Sequence, residues 1–150
     1  MEDAAQFYNE LDEMFANHAS ADAIETYLLR KLTEANPLQL SILNELMGFY
    51  RSRGEHTKNQ PIINRALNLA NKMQLAGTEA GTTTLINAAT SLRAAGSYDR
   101  AEKIYTQALN ESTETLGTKN RKLAALHNNL SMLYSETGRT HDATEELNQA

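Results

Sequence analysis

Residues 95–109, AGSYDRAEKIYTQAL, contain a glycine that is followed at once by a run of helix-forming residues. Within this run Ala101 and Ala108 are seven positions apart, or about two helical turns, and Tyr105 lies between them on the same face. Small residues on one face of a helix allow a second helix to approach closely, and the aromatic ring can fill the adjacent gap. The stretch therefore predicts a helix that begins after Gly96 and packs tightly against a neighbouring helix.

The glycine recurs in the same local context. Gly54, Gly96 and Gly138 are separated by two equal intervals of 42 residues. A shift by this interval also aligns apolar and small residues: Leu46 with Ala88 and Leu130, Tyr50 with Leu92 and Tyr134, Ile63 with Tyr105 and Leu147, and Ala66 with Ala108 and Ala150. Glycine adopts positive φ angles readily and commonly ends helices. We therefore predict a repeat with one helix before the glycine and one after it.

Apolar and small residues recur at steps of three and four along the chain, and the alternation typical of strands is absent. We predict an all-α chain of about seven to eight helices, at residues 3–17, 21–35, 37–53, 60–75, 79–95, 98–115, 120–137 and 140–150. Pro61 aligns with the interior of a helix, where proline is tolerated only in the first turn. We therefore expect that helix to begin near Asn59 or Gln60, after a longer turn at residues 56–58.

The composition argues against several classes of protein. Lys and Arg number 14 and Asp and Glu number 19, so the formal net charge is −5, which disfavours a nucleic-acid partner. The absence of cysteine excludes disulfides and thiolate metal sites. The N-terminal segment lacks the basic and apolar regions of a signal peptide, and no apolar run approaches the roughly 18 residues of a membrane span. We expect a cytoplasmic protein that binds neither nucleic acid nor membrane.

These repeats resemble the tetratricopeptide repeat, or TPR, whose pattern places apolar, small, tyrosine, glycine and alanine residues at set offsets. Three units supply the pattern: Leu43, Leu46, Met47, Tyr50, Gly54, His56, Asn59, Ile63 and Ala66; then Leu85, Ala88, Ala89, Leu92, Gly96, Tyr98, Ala101, Tyr105 and Ala108; then His127, Leu130, Ser131, Tyr134, Gly138, Thr140, Ala143, Leu147 and Ala150. The usual interval is about 34 residues. The interval of 42 is similar to the longer variant of kinesin light chains and many bacterial proteins.

The resemblance implies an α-solenoid of antiparallel helix pairs wound into a right-handed superhelix. It divides a single domain, residues 1–150, into a divergent helix pair and three repeats, the last of them truncated: 1–37, 38–78, 79–119 and 120–150. In this architecture the first helix of each pair lines a concave groove. Counting by repeat position, the groove rows are Ser41, Asn44, Gly48 and Arg51; Thr83, Ile86, Thr90 and Arg93; and Ala125, Asn128, Met132 and Ser135.

In the family such rows commonly bind an extended peptide, with Asn side chains on its backbone amides and Lys or Arg on its carboxylates. The resemblance therefore implies a peptide-binding groove at Asn44, Arg51, Thr83, Ile86, Thr90, Arg93, Asn128 and Met132. Arg51 and Arg93 occupy equivalent repeat positions and would offer an acidic ligand a positive stripe. The alternative is that Asn44, Asn128, Arg51 and Arg93 are ordinary exposed polar residues.

No catalytic, metal or cofactor pattern stands out. The four histidines are scattered without metal-ligand spacing, and His127 is expected to be a packed core residue. The pairs Asp12-Glu13 and Glu145-Glu146 are expected on solvated helix faces. The glycine-containing stretch AGTEAGTTT, residues 76–84, lacks the lysine of a phosphate-binding loop. We expect neither an enzyme nor a cofactor-binding protein.

The favoured function is a non-catalytic scaffold that binds a protein or peptide. Two alternatives remain: a peptide-sensing regulatory module of a larger protein, and a structural module that self-associates. Ala143, Leu147 and Ala150 would stay partly bare on the last helix, because a solenoid normally covers this face with a further repeat or a cap. We expect either that the natural chain continues past Ala150 or that two copies pair as a homodimer through this helix.

Overall fold

The structure is a computed structural model that describes residues 4–33, 38–116 and 121–149, without the side chains of residues 33, 113–116 and 140. Eight helices make up these residues: α1 Ala4–Ala16, α2 Ala21–Thr33, α3 Gln39–Ser52, α4 His56–Lys72, α5 Glu79–Ala94, α6 Tyr98–Leu116, α7 Arg121–Glu136 and α8 Thr140–Gln149. The predicted all-α fold is confirmed. Most helix ends within the described residues agree with the prediction to within two positions, and α4 is the exception at both of its ends.

The helices form an α-solenoid of antiparallel pairs, in which successive helices from α2 to α8 pack on one another and, from α3 onward, the first helices of neighbouring pairs are also in contact. Beyond its own partner α4, α3 contacts α5, and α5 in turn contacts both α6 and α7. The helices α3, α5 and α7 therefore line one side of the stack, with α4 and α6 behind them. The buried apolar side chains form one continuous cluster that runs from Phe7 in α1 to Ala143 in α8. Within the described residues, no helix combines the length and apolarity needed to cross a membrane.

The recurring glycines end helices as predicted. Gly54, Gly96 and Gly138 have φ angles of +69°, +85° and +80°. In the turn at Gly96, its N–H donates to the Arg93 carbonyl at 3.0 Å and the next N–H, of Ser97, donates to the Leu92 carbonyl at 2.8 Å. These two bonds satisfy carbonyls at the helix end that have no partner within the helix. The other two glycine turns repeat the same pair of bonds, so the 42-residue period is a period of helix endings.

The small residues of the repeat are buried contact points between helices. Ala66, Ala101 and Ala108 are fully buried, and Tyr105 is buried beside them, which confirms the packing predicted from residues 95–109. The expectation that Ala143 stays partly bare is wrong, because α8 packs closely on α7 and buries it. Leu147 is 57% exposed, as expected, whereas its repeat equivalent Tyr105 is covered. Ala150 lies outside the described residues.

The predicted late start of α4 is wrong. This helix begins at His56 and contains Pro61 in its interior. Proline cannot donate a hydrogen bond to the carbonyl four residues earlier, here that of Thr57, but Thr57 is exposed and water can bind its carbonyl. The first turn is held by the buried Asn59, whose Nδ2 donates to the Met47 carbonyl of α3 at 3.1 Å. A tertiary hydrogen bond thus stabilises a helical turn that the local sequence disfavours.

Candidate functional site

The candidate site is a cleft of about 510 Å³ on the side of the solenoid that the first helices of the pairs line. Its walls come mainly from α3 and from the first half of α5. Five residues of the predicted groove rows line it: Ser41, Asn44, Gly48, Arg51 and Thr83. Six further residues that row counting did not include complete the lining: Tyr8, Leu40, Glu45, Glu79, Ala80 and Asn87.

Asn44 is engaged within the protein. Its Nδ2 donates to the Thr84 hydroxyl oxygen at 3.0 Å, and its Oδ1 accepts from Asn87 Nδ2 at 3.0 Å. Both bonds join α3 to α5 and so fix the separation of the two cleft walls. A ligand amide could use only the donor and acceptor capacity that remains on the Asn44 side chain.

Arg51 crosses the same gap with a charged group. Its Nη1 donates to the Asn87 carbonyl at 3.4 Å and to the Ser91 hydroxyl oxygen at 3.1 Å. Burial lowers the pKa of Arg51, and the neighbouring positive charge of Arg93 lowers it further. Arginine nevertheless stays charged in proteins. None of the ion pairs seen among the described residues neutralises Arg51.

Arg93, the repeat equivalent of Arg51, has a different environment. Its Nη1 lies 3.3 Å from Glu136 Oε1 in α7, and its buried Nε finds no hydrogen-bond partner among the residues that the structure describes. The hydroxyls of Thr90 and Tyr105 are 2.7 Å apart, and the charges of both arginines act on Tyr105. Burial raises the pKa of Tyr105, whereas hydrogen bonding with Thr90 and Arg93 and the charges of both arginines lower it. The two guanidinium groups therefore act on one small polar region.

The remaining predicted site residues divide between α5 and α7. The Thr83 hydroxyl accepts from Lys122 Nζ at 2.8 Å, and Ile86 packs against the core. Asn128 and Met132 lie exposed on α7, outside the cleft described above. The structure thus brings the first row and the start of the second into one cleft, but it does not add the third row to that cleft.

Row counting missed the charged groups that come from other positions. Lys122 lies one turn before the predicted third row, and its ammonium reaches the cleft wall through Thr83. Glu45 and Glu79 line the cleft directly. Burial raises the pKa of Glu45, with a further contribution from the negative charge of Asp12. The cleft is therefore not a uniformly positive stripe, because carboxylates lie along its walls together with Arg51.

The histidines and carboxylates outside the cleft form contacts between helices or face solvent. The expectation that His127 is a core residue is wrong. His127 is half-buried, and its Nδ1 lies 2.6 Å from Glu146 Oε2, a contact that joins α7 to α8. Asp12, Glu13 and Glu145 are exposed, as expected, whereas Glu146 is half-buried by its contact with His127, contrary to the expectation. Within residues 4–33, 38–116 and 121–149, no group of three or more His, Asp or Glu side chains could hold a metal ion.

Comparison with known proteins agrees with this architecture. The sequence profile described as "Tetratricopeptide repeat" matches residues 79–150. BtubC (BKLC) from P. vanneervenii has a similar solved structure, with a TM-score of 0.77 and 21% identity over 95% of this chain and 60% of that one. A second is a kinesin-light-chain-like protein of Podosopora anserina with nearly identical TPR-like repeats, with a TM-score of 0.69 and 19% identity over 77% of this chain and 55% of that one.

A solved structure of a singly substituted variant of the Podosopora anserina protein is also similar, with a TM-score of 0.71 and 16% identity over 97% of this chain and 65% of that one. At these identities the likeness shows the fold alone. The chain spans less than two thirds of the length of each of these structures. No curated protein sequence matches it.

Proposed function

Because the chain belongs to the tetratricopeptide repeat family, whose members generally act as protein-interaction scaffolds, we propose that it binds an acidic peptide segment of a partner protein in the cleft between α3 and α5. The proposed role is binding and not catalysis. The partner contributes at least one carboxylate, which meets Arg51.

The state of Arg51 carries this proposal. The side chain is half-buried and lines the cleft, yet its two hydrogen-bond acceptors are a carbonyl and a hydroxyl, both neutral. A guanidinium that has lost much of its hydration, and that forms no ion pair with any carboxylate in the described part of the chain, gains most from an anionic ligand. The two neutral acceptors also hold the side chain in place, so little conformational entropy is lost when a ligand binds.

Replacing Arg51 with glutamine tests this function. We expect the variant to lose at least about tenfold in affinity for an acidic peptide, since a charge-assisted hydrogen bond contributes about 1.5–3 kcal/mol. The measurement is the anisotropy of a fluorescein-labelled peptide that carries four consecutive glutamates. The same peptide with four glutamines reports binding that does not depend on charge. Wild-type affinity should also fall as salt is added.

Arg65 provides the matched control, because it is exposed on α4 and does not line the cleft. Arg65→Gln makes the same change in net charge and should leave peptide binding unchanged. Arg51→Lys retains the charge without the planar fork and should bind with intermediate affinity. Circular dichroism checks that each variant is folded. Equal binding by wild type and a folded Arg51→Gln variant would reject the proposed site.

A second candidate function, self-association, rests on α8. Leu147 is 57% exposed, whereas its repeat equivalents Ile63 and Tyr105 are covered by the helix pair that follows them. A second copy could cover this surface and bury Leu147.

We expect any homodimer formed in this way to dissociate on Leu147→Glu, as measured by light scattering over a concentration series. Met73→Glu alters a similarly exposed residue at the end of α4 and should have no effect; a dimer that survives Leu147→Glu does not use this face.

A further inference from the structure

We propose that Glu136 is an internal competitor for the ligand: it pairs with Arg93 in the free protein and gives way when a second ligand carboxylate reaches Arg93. This inference rests on the proposed function, because it concerns the same acidic ligand. It assigns to Glu136 a role in setting affinity and extends the site from Arg51 in α3 to Arg93 in α5.

The different partners of two equivalent arginines point to this role. Arg51 is held by the Ser91 hydroxyl, 40 positions later in the chain. The position equivalent to Ser91 one repeat later is Leu133, which has no hydroxyl to offer Arg93. Arg93 instead contacts Glu136, in the last turn of α7. A carboxylate from the protein thus lies at the second arginine, whereas the described residues offer the first arginine only neutral acceptors.

A ligand carboxylate can displace Glu136 from its contact with Arg93. The Arg93 side chain is only 15% exposed, whereas that of Glu136 is 40% exposed and can turn into water. The shortest contact between the two groups, from Arg93 Nη1 to Glu136 Oε1 at 3.3 Å, is long for a charge-assisted hydrogen bond. Half-exposed ion pairs of this kind are weak. A ligand carboxylate that approaches Arg93 Nη1 more closely would replace Glu136 at little cost.

The two arginines occupy equivalent repeat positions on α3 and α5, which pack against each other, so an extended ligand could contact both. The charge of each affects the Tyr105 hydroxyl, and Arg93 lowers the pKa of Arg51. Like charges held together raise each other's energy, and an anion that binds to both relieves this repulsion. A segment with consecutive acidic residues is therefore the chemistry that fits, with one carboxylate at each arginine.

The test measures the affinity of four proteins for the peptide with four consecutive glutamates: wild type, Glu136→Gln, Arg93→Gln and the double variant. Glu136→Gln should bind the peptide about two- to fivefold more tightly than wild type, because it loses a weak ion pair that competes with the ligand. The gain should vanish when Arg93 is also replaced, since Glu136 then has nothing to block. Glu13→Gln removes an exposed carboxylate from α1 and should leave the affinity unchanged.

The outcomes separate this inference from the proposed function. If wild type binds the peptide and Arg51→Gln does not, but Glu136→Gln matches wild type, the competitor role is overturned and the proposed function stands. A gain that persists without Arg93, or that Glu13→Gln reproduces, reflects net charge alone and also overturns the inference. If neither wild type nor Glu136→Gln binds the peptide, both ideas fail.

Discussion

Gly81→Ala is expected to destabilise the protein strongly, although glycine-to-alanine changes within helices usually stabilise them. Gly81 is buried in the first turn of α5. A Cβ atom at this position would lie 2.0 Å from the Leu75 carbonyl oxygen, far inside van der Waals contact. We expect the free energy of unfolding to fall by about 2–3 kcal/mol and the thermal midpoint to fall by about 5–10 °C.

The clash cannot be relieved by a small rotation, because the Leu75 carbonyl is fixed. It accepts hydrogen bonds from the Thr78 N–H at 3.0 Å and from the Thr78 hydroxyl at 2.6 Å. The same Thr78 side chain caps α5 by accepting from the Gly81 N–H at 3.1 Å. A methyl group on Gly81 would therefore separate the turn from the helix and break the cap.

Gly48→Ala is the matched control. Gly48 lies within α3, and a Cβ there would meet only Arg51 Nη2 at 3.8 Å, an ordinary contact. This change should stabilise the protein by about 0.5–1 kcal/mol. Thermal and urea unfolding followed by circular dichroism measure both variants. If Gly81→Ala proves as stable as Gly48→Ala, the close approach of α5 to the preceding turn is contradicted.

Gly81 also shows why part of the structure escapes prediction from sequence. The 42-residue period predicts the three turn glycines because each unit reuses the same helix ending. Gly81 has no such equivalent, since Gln39 and Leu123 occupy its position in the neighbouring units. Its role depends on the connection between α4 and α5, which belongs to one unit alone. A feature that occurs once leaves no periodic signal.

In the candidate site too, sequence predicted the features that follow the repeat and missed those that do not. Repeat position correctly indicated that Asn44, Arg51 and Thr83 face the same side, because helical periodicity determines which side chains share a face. Repeat position could not indicate that the Asn44 amide and the Arg51 guanidinium form hydrogen bonds with α5. Those hydrogen bonds depend on the distance between α3 and α5. Repeat position also passed over Glu45 and Lys122, which do not occupy the rows that the family uses.

Ala101→Phe is the second change with a large expected effect. Ala101 is fully buried at the repeat position that Asn59 occupies in α4. Asn59 reaches the Met47 carbonyl of α3 from this position, so the equivalent face of α6 lies against α5 near the buried Ala89. An aromatic ring could enter only if α5 and α6 separated. We expect a loss of about 3 kcal/mol and a thermal midpoint lower by about 6–12 °C.

Three variants distinguish this close packing from a general sensitivity to substitution. Ala94→Phe adds the same ring at an exposed position of α5 and should leave the midpoint nearly unchanged. Ala101→Leu and Ala101→Asn both enlarge the side chain, but only asparagine can donate to a carbonyl on α5 as Asn59 does on α3. Asparagine should therefore be tolerated better than leucine, the reverse of the usual order in a core. A leucine variant more stable than the asparagine variant would show that the helix approach differs between the two repeats.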